Sequence, residues 1–471
     1  MKKIRNLPES QFLKLFFAFI TLCFLIAAVC LPDRNQAFSG LWRIFSSTCR
    51  ITTNYFAIGG FSATFLNMGL VGLVCLLLYC LPGAKANNAS TLAFLLTVGF
   101  GSWGIHALNI IPSMLGVLLY CLVKKEKPSA HVNDMLFSTG IAPLLSELFL
   151  RYPHQAASLH WYGPVLSLAV GLAIGFLLPA GLAFSPKVHK GFDLYSAALP
   201  IGMMAFFLQA ALYKTLGVTL PEIADTMGVT SQMTVNIFCG AVFGLCVIFA
   251  LILGCKPKQY WWLLKDPALV TNFTSAYGNA VFLMNAGIFG LLILGYYNLI
   301  GASFNGVTFG IIFCMAATCN SGSHPGNVWP VVTGYAIASL VFGFAAHLMG
   351  SHFTGQLSSQ AIVVGLCYAN GLSPIADKYG FGAGILGGFM HYTLVTSVPM
   401  LHGNFCLYNG GFTAALICLL FVPLLERFFR AKREHQEAQQ PKPLRGGHPL
   451  SPFCALDAEI PYCNQRHFLI K

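Results

Sequence analysis

Long apolar runs separated by short polar segments are the main pattern along the chain. Four of the runs, at 11–31, 68–81, 165–184 and 235–254, approach or reach the roughly 20 apolar residues that an α-helix needs to cross the hydrocarbon core of a bilayer. The pattern predicts an all-α integral membrane protein. Its first run, 11–31, is longer than the core of a typical signal peptide, so we expect a retained helix.

Fourteen hydrophobic stretches can be distinguished, seven in each half of the chain. If all of them cross, the odd number per half makes the second half enter the membrane from the opposite side, the inverted arrangement common among secondary transporters. If 133–150 and 359–376 are instead re-entrant, the halves become parallel. We expect two inverted repeats with about 12–14 transmembrane or half-membrane helices, some of them broken. The stretches are 11–31, 55–81, 89–105, 109–123, 133–150, 163–184 and 192–213, then 235–254, 268–298, 307–320, 328–348, 359–376, 380–400 and 405–425.

The two halves are copies of one design. Residues 53–116 align without a gap on residues 271–334, with 18 identities in 64 positions. Random matching in so apolar a chain would favour Leu, Ala, Val and Phe, but most of the shared residues are Gly, Asn, His and Pro. The predicted organisation is an N-terminal segment with the first helix, two membrane repeats joined by a linker with a repeated first helix, and a disordered cytoplasmic tail. These segments are 1–44, 45–214, 215–255, 256–429 and 430–471.

Composition and charge agree with a membrane location. Only 9% of the residues are charged, 56% are hydrophobic and the mean hydropathy is +0.69, so the chain cannot cover itself with a water-compatible surface. The net charge of +12 comes largely from short basic clusters between apolar runs, which positive-inside topology explains better than nucleic-acid binding. This places both termini in the cytoplasm of a multi-pass inner-membrane protein whose partners are the lipid bilayer and a small solute. Self-association into a homo-oligomer stays open.

Each repeat contains the pattern G-x-H-x-x-N-x-x-P at a break between two short apolar stretches. Broken helices expose backbone groups, which membranes tolerate only against protein or a water-filled cavity, so duplicated breaks indicate a ligand site. We predict that the polar side chains of both breaks lie close together near the bilayer midplane and bind the solute. In the alternative interpretation they hydrogen-bond a turn or bridge neighbouring helices. The residues are His106, Asn109 and Asn67 in the first repeat and His324, Asn327 and Asn285 in the second.

A second duplicated pattern, H-x-x-F-x-L-Y, occurs at 189–195 and 402–408. Its residues His189, Tyr195, His402 and Tyr408 complete the predicted solute site. Histidine can change charge near neutral pH. The acids Glu147 and Asp377 do not occupy equivalent positions in the two repeats. If transport is coupled to protons, we therefore expect His106 or His324 to carry them.

Catalytic and metal-binding motifs are missing from the sequence. The 16 cysteines are scattered through apolar runs without a C-x-x-C pair, which argues against a zinc site. No H-E-x-x-H, G-x-S-x-G or P-loop pattern occurs, so nucleotide-driven transport within this chain is improbable. The sequence therefore predicts no cofactor, no metal and no catalytic residue.

The duplicated blocks around the two patterns resemble a tandem domain of unknown function, DUF1576, of bacterial membrane proteins. The resemblance covers approximately 45–429 and leaves the first helix and the tail outside. It implies a polytopic inner-membrane protein, and it implies no activity and no site residue.

Two functions are compatible with these observations. The first is a secondary transporter or facilitator of a small solute, with its site at the interface of the repeats. The second is an intramembrane enzyme or sensor in which the same His, Asn and Tyr line a cavity. Internal symmetry favours transport, because alternating access uses two equivalent halves and catalysis does not need them.

Overall fold

The computed structural model describes residues 2–222, 226–266, 269 and 271–439, and the regular elements in these ranges are all helices. The first half contains eleven α-helices. They are α1 Lys2–Arg5, α2 Glu9–Cys30, α3 Ala37–Phe45, α4 Tyr55–Gly59, α5 Phe61–Tyr79, α6 Asn88–Phe100, α7 Ile111–Lys124, α8 Val132–Ser138, α9 Ala142–Leu150, α10 Tyr162–His189 and α11 Ala198–Gln209.

The second half contains eleven more within the same described ranges. They are α12 Gln232–Ile252, α13 Pro257–Leu263, α14 Phe273–Tyr277, α15 Asn279–Leu299, α16 Gly306–Ala316, α17 Pro325–Leu348, α18 Gln360–Ala369, α19 Ser373–Tyr379, α20 Phe381–Val395, α21 Val398–Leu401 and α22 Asn409–Gln439. The chain divides into two units, 1–425 and 426–471, and every contact described below lies within the first.

Seven helices in the described part of the chain are long and apolar enough to cross a membrane. Four further apolar helices have 10–17 residues, too short to span about 30 Å comfortably. The protein is therefore a multi-pass helical membrane protein that combines full-length and half-length helices. The seven are α2, α5, α10, α12, α15, α17 and residues 409–429 of α22.

Corresponding helices of the two halves make corresponding contacts. Helix α2 packs on α5 as α12 packs on α15, and α7 packs on α10 as α17 packs on α20. The short helices α4 and α14 both end at a glycine with positive φ, Gly60 at 91° and Gly278 at 87°, a conformation that a residue without Cβ adopts freely. The sequence duplication is thus a structural duplication.

The ends of the helices define two ends of the bundle. At one end Lys14 Nζ donates to the Ala84 carbonyl (3.0 Å) and Asn279 Nδ2 donates to the Arg5 carbonyl (3.0 Å). We call this the basic end. At the opposite end Asp33 accepts from the Ser62 amide (3.1 Å).

These contacts give the direction of each helix. Helix α2 starts at the basic end and α5 finishes there, whereas α15 starts there. At the opposite end, the Ser231 amide beside the start of α12 donates to the Phe304 carbonyl just after α15 (2.9 Å). Helices α2 and α12 therefore run in opposite directions, and so do α5 and α15.

The half-length helices α6 and α16 cross each other in the centre and also run antiparallel. The Ser102 hydroxyl beyond the end of α6 donates to the Gly306 carbonyl at the start of α16 (2.6 Å), and Asn320 Nδ2 beyond α16 donates to Thr91 Oγ1 near the start of α6 (3.1 Å). Between these contacts Gly99 lies against Gly310 so closely that a Cβ on either would meet the other's carbonyl oxygen. The antiparallel pair joins the two repeats.

The stretches 133–150 and 359–376, for which the sequence left spanning and re-entrant arrangements open, are each a pair of short helices. A 3₁₀ turn, Thr139–Ile141, separates α8 from α9, and another, Asn370–Leu372, separates α18 from α19. In both, a proline follows closely and cannot continue a regular helix from the preceding turn. Helix α22 extends to Gln439, into the first residues of the predicted tail 430–471. The rest of the predicted tail lies outside the described residues.

Candidate functional site

The duplicated His and Asn hold the turns in the breaks after α6 and α16, and in the second repeat His324 is also the N-cap of α17. The backbone amide of His106 donates to Asn109 Oδ1 (2.8 Å), and that of His324 donates to Asn327 Oδ1 (3.0 Å). Each ring Nδ1 accepts from a backbone amide two residues later, at 3.3 Å in the first repeat and 3.1 Å in the second. In the second repeat the ring thereby satisfies the Gly326 amide, which the start of α17 leaves unpaired, whereas in the first repeat the bonds lie in the turn before α7.

The side-chain amide of each capping asparagine makes two further bonds. Asn109 Nδ2 donates to the Gly104 carbonyl and to Ser146 Oγ, at 3.1 and 3.0 Å. Its counterpart Asn327 donates to the Gly322 carbonyl (2.9 Å) and to a carboxylate oxygen of Asp377 (2.7 Å). Ser146, rather than Glu147, is therefore the structural equivalent of Asp377.

The asparagines inside the long helices α5 and α15 hold the same breaks from the other side. Asn67 Nδ2 donates to the carbonyls of Gly101 and Ile105, at 2.7 and 2.8 Å. Asn285 Nδ2 donates to the carbonyls of Cys319 and Ser323, at 2.8 and 3.0 Å. Both asparagines are fully buried, so the amide replaces water for carbonyls that the breaks release.

The two breaks do not form one cluster, which corrects the predicted meeting of His106 and His324 at the midplane. Because α6 and α16 cross antiparallel, the first break, after α6, lies at the opposite end of the bundle. The second break, after α16, lies at the basic end. The two crossing contacts, at Thr91 and Ser102, are eleven residue steps apart, roughly 16 Å at 1.5 Å per step. His106 and Asn109 border a separate small cavity of about 120 Å³.

The two H-x-x-F-x-L-Y segments, 189–195 and 402–408, are exchanged between the repeats. The Leu194 amide donates to the Gly371 carbonyl (3.1 Å) in the turn between α18 and α19. Reciprocally, the Leu407 amide donates to the Gly140 carbonyl (2.9 Å) in the turn between α8 and α9. Tyr195 of the first segment lies over Gly371, and Tyr408 of the second lies over Gly140. Each segment therefore binds its own repeat to the other one.

The chemistry of the two segments differs although their docking is the same. Tyr195 Oη donates to the carbonyls of Cys314 and Cys367, at 3.0 and 3.1 Å, whereas the buried Tyr408 Oη has no partner in the described part of the chain. His189 Nε2 lies 2.8 Å from Ser196 Oγ. Neither ring nitrogen of buried His402 has a partner among the described residues.

The first of these segments borders a cavity of about 290 Å³ at the basic end. It lies between the start of α6, the start of α8, the end of α10 and the second break. The lining is rich in polar groups for a membrane protein, and Ser321, whose hydroxyl donates to the Asn88 carbonyl (3.3 Å), brings in the second repeat. The polar lining residues are Asn88, Asn133, Asp134, His189, Asp193, Ser196 and Ser321.

Asp193 is the lining residue with the most unusual environment. Its side chain is 2% exposed, and Oδ1 accepts from the Tyr195 amide (2.8 Å) while Oδ2 has no partner in the described ranges. It lies in the turn between α10 and α11, outside the membrane-spanning helices, and burial raises the pKa of its carboxyl to about 7. The group can therefore gain and lose a proton near neutral pH.

The other carboxyl group of the cavity, Asp134, is paired. Its Oδ2 lies 2.6 Å from His131 Nδ1, and Glu126 Oε2 lies 2.5 Å from His131 Nε2. Burial lowers the pKa of His131, but the hydrogen bonds to the two carboxylates outweigh burial and leave that pKa raised. Asp193 and Asp134 were not among the residues predicted for the site. The available signal was that Asp193 breaks the duplication, because Cys406 stands in its place in the second repeat.

No three His, Cys, Asp or Glu residues within the described ranges are grouped so that they could hold a metal ion. The chain belongs to the family described as "Protein of unknown function (DUF1576)", whose profile matches twice, at 33–214 and 257–427. The two matches coincide with the two structural repeats. No curated protein and no solved structure matches the chain.

Proposed function

We propose that this protein is a secondary transporter or facilitator of a small solute across the inner membrane. In this proposal the repeats have inverted topology, both termini are cytoplasmic, and the cavity at the basic end holds the solute. Lysines concentrate at that end, as the positive-inside rule requires of a cytoplasmic face.

The observation that carries the proposal is the antiparallel crossing of α6 and α16. Two equivalent half-length helices, each followed by a break, meet at Gly99 and Gly310 and place one break at each end of the bundle. Discontinuous helices at the interface of oppositely directed repeats are the arrangement in which transporters bind solutes and alternate between two faces.

A difference between the halves supports alternating access. Ser321 borders the cavity at the basic end, but its counterpart at the opposite end is Trp103, which is fully buried and lies against Gly310. The basic end thus has a cavity beside Ser321, whereas the equivalent position at the opposite end is filled by the indole ring of Trp103. This asymmetry is expected of a transporter in a state open to one side.

Asp193 is our candidate for the group that couples solute binding to proton movement. Its Oδ2 has no hydrogen-bond partner among the described residues, whereas the duplicated histidines in the breaks use ring Nδ1 to accept backbone amides of their own turns. A residue tied into a cap is less free to change protonation during transport than an unpaired carboxyl.

Uptake by reconstituted protein tests the transport function. Proteoliposomes with an imposed pH gradient are screened with radiolabelled small solutes, and any solute taken up is then tested with two tryptophan variants. Ser321→Trp fills the cavity and should abolish uptake, while Ser303→Trp at an exposed position of the opposite end should leave uptake unchanged. Equal uptake by the wild type and Ser321→Trp would exclude the cavity as the solute site.

Cysteine accessibility tests the topology. Lys85 and Ser303 are exposed residues just before α6 and α16, and single cysteines there are labelled in a background in which the exposed Cys30 and Cys80 are serine. Inverted repeats require labelling from opposite faces of the membrane. Labelling of both from one face contradicts the inverted arrangement.

The alternative function, an intramembrane enzyme or sensor, needs the duplicated polar side chains in one cavity. His106 and His324 lie at opposite ends of the α6/α16 pair, and each is bonded within its own break. For this reason we favour transport.

A further inference from the structure

Three buried charged side chains lie together at the opposite end of the bundle. Glu147 binds Arg151 through two hydrogen bonds, Nε to Oε1 at 2.8 Å and Nη2 to Oε2 at 2.6 Å. Arg50 approaches the same carboxylate, with Nη2 at 3.9 Å from Oε1. None of the three residues is more than 7% exposed. Two guanidinium groups thus share one carboxylate, and the cluster carries one uncompensated positive charge.

The less well compensated of the two cations is Arg50, whose contact with Glu147 is long at 3.9 Å. Neither its Nε nor its Nη2 has a hydrogen-bond partner in the described part of the chain, although the residue is 5% exposed. Arg151 has already taken the bidentate position on Glu147. Burying an unpaired guanidinium is costly, and buried charges in proteins are normally paired.

The backbone and an aromatic ring fix the position of Arg50. Its amide donates to Thr53 Oγ1 (2.7 Å), and the next amide, of Ile51, donates to the Asn404 carbonyl (2.9 Å) in the second repeat. The guanidinium carbon lies 4.9 Å from the centre of the Phe405 ring. The ring attracts the cation but accepts no hydrogen bond in the plane of the guanidinium, so the donors Nε and Nη2 stay without an acceptor among the described residues.

We propose that Arg50, supported by Arg151 and Glu147, binds a small oxyanion such as a carboxylate or phosphate at this end of the protein. A guanidinium offers two parallel N–H donors that match the two oxygens of such an anion. The bound anion neutralises the surplus charge, and Glu147 limits the charge so that the site holds one anion and releases it. This site is separate from the cavity at the basic end and does not depend on the transport function.

Anion-dependent thermal stability of the purified full-length protein tests the site. The unfolding temperature is measured in detergent against sodium acetate and sodium phosphate, with ionic strength held constant by sodium chloride. A ligand that binds only the folded state raises the unfolding temperature with concentration. We compare the wild type with Arg50→Gln, with Glu147→Gln, and with Arg34→Gln, which removes the same charge from an exposed position at the same end.

The expected result is a saturable stabilisation of the wild type that Arg34→Gln retains. Arg50→Gln should weaken the apparent affinity by roughly ten-fold or more, the loss expected for one charge-assisted bidentate contact. Glu147→Gln should change the apparent affinity in the opposite direction. It should bind the anion more tightly, because the carboxylate that competes for the guanidinium groups is removed. A purely structural role of the cluster would give Glu147→Gln no gain in affinity.

Three outcomes would overturn the proposal: no saturable response of the wild type, equal responses of wild type and Arg50→Gln, or weaker binding by Glu147→Gln. If Arg50→Gln does not fold, the comparison of Glu147→Gln with the wild type still decides. The measurement uses no membrane gradient, so its failure is distinguishable from a failure of solute uptake in proteoliposomes.

Discussion

The exchanged segments 189–195 and 402–408 have the same backbone role and different chemistry. Each donates a leucine amide to a glycine carbonyl of the other repeat and lays its tyrosine over that glycine. Each also has a cation over its phenylalanine ring, Lys378 at 5.3 Å from Phe192 and Arg50 at 4.9 Å from Phe405. Yet the first segment contains Asp193, whose Oδ2 has no hydrogen-bond partner among the described residues, and the second lies beside the Arg50 guanidinium, whose Nε and Nη2 have none.

This comparison separates scaffold from function. Residues that occur in both repeats, such as Asn67 and Asn285 or Asn109 and Asn327, bond backbone carbonyls in equivalent places. Asp193 and Arg50, two buried charged residues with unpartnered side-chain atoms among the described residues, have no equivalent of the same type in the other repeat. We infer that duplication preserved the architecture and that divergence between the copies produced the two candidate sites.

The largest effect is expected from adding a methyl group where the exchanged tyrosines dock. A Cβ at Gly140 would overlap the Tyr408 ring, whereas one at Gly371 would lie 2.7 Å from Tyr195 Cδ2. Gly140→Ala should therefore lower the free energy of unfolding by about 3 kcal/mol and Gly371→Ala by about 1–2 kcal/mol. Thermal unfolding in detergent measures both, and Gly382→Ala, with no heavy atom near the new Cβ, is the control. Equal losses for all three variants would contradict this docking.

The asparagines of the two breaks should also differ in how much they contribute to stability. Asn327 donates to the carboxyl group of Asp377, and its counterpart Asn109 donates to the hydroxyl of Ser146. Because hydrogen bonds to ionisable groups contribute more, Asn327→Ala should cost about 2–3 kcal/mol and Asn109→Ala about 1–2 kcal/mol. Chemical denaturation of the two variants measures the loss of unfolding free energy. A larger loss for Asn109→Ala would contradict the expectation that the bond to the carboxyl group of Asp377 contributes more than the bond to Ser146.

Asp193 should make stability depend on pH. Burial raises the pKa of its carboxyl from the ordinary range of an aspartate to about 7, so the folded state binds a proton more tightly than the unfolded state. Stability should therefore fall as pH rises from about 4 to 7 and then level off. Asp193→Asn should remove roughly 1–2 kcal/mol of this decline, and Cys406→Ala, at the equivalent position, should retain it. Unfolding temperatures between pH 4 and 8 measure the difference, and parallel curves for wild type and Asp193→Asn would refute the assignment.

The smallest effect on stability is expected from the histidine that begins each exchanged segment. His402 is buried against Phe412 with both ring nitrogens unpartnered among the described residues, whereas His189 bonds Ser196. His402→Phe should raise the free energy of unfolding by about 0.5 kcal/mol, and His189→Phe should lower it by about 1 kcal/mol. Denaturation of both variants compares them; destabilisation by His402→Phe would indicate that this ring has a polar partner in solution.

Much of the fold could be predicted from the sequence. The apolar runs predicted a helical membrane protein because a helix is the element that satisfies its own backbone in lipid. The constant offset between 53–116 and 271–334 predicted two repeats, and the duplicated G-x-H-x-x-N-x-x-P pattern predicted a break between two short apolar stretches in each. The number of full-length spans was not predictable, since a 15-residue apolar run looks similar whether it spans, stops halfway or packs on another half-helix.

The sequence by itself determined local structure: which segments are helical, where they break, and which polar residues recur. Only the tertiary structure decided which of these residues meet. The antiparallel crossing of α6 and α16 separates His106 from His324, and the exchange of the tyrosine segments places Asp193 in a cavity and Arg50 beside Phe405. The physical reason is that local hydrophobicity and capping act within a few residues, whereas the partners of a buried charge are set by how distant helices pack.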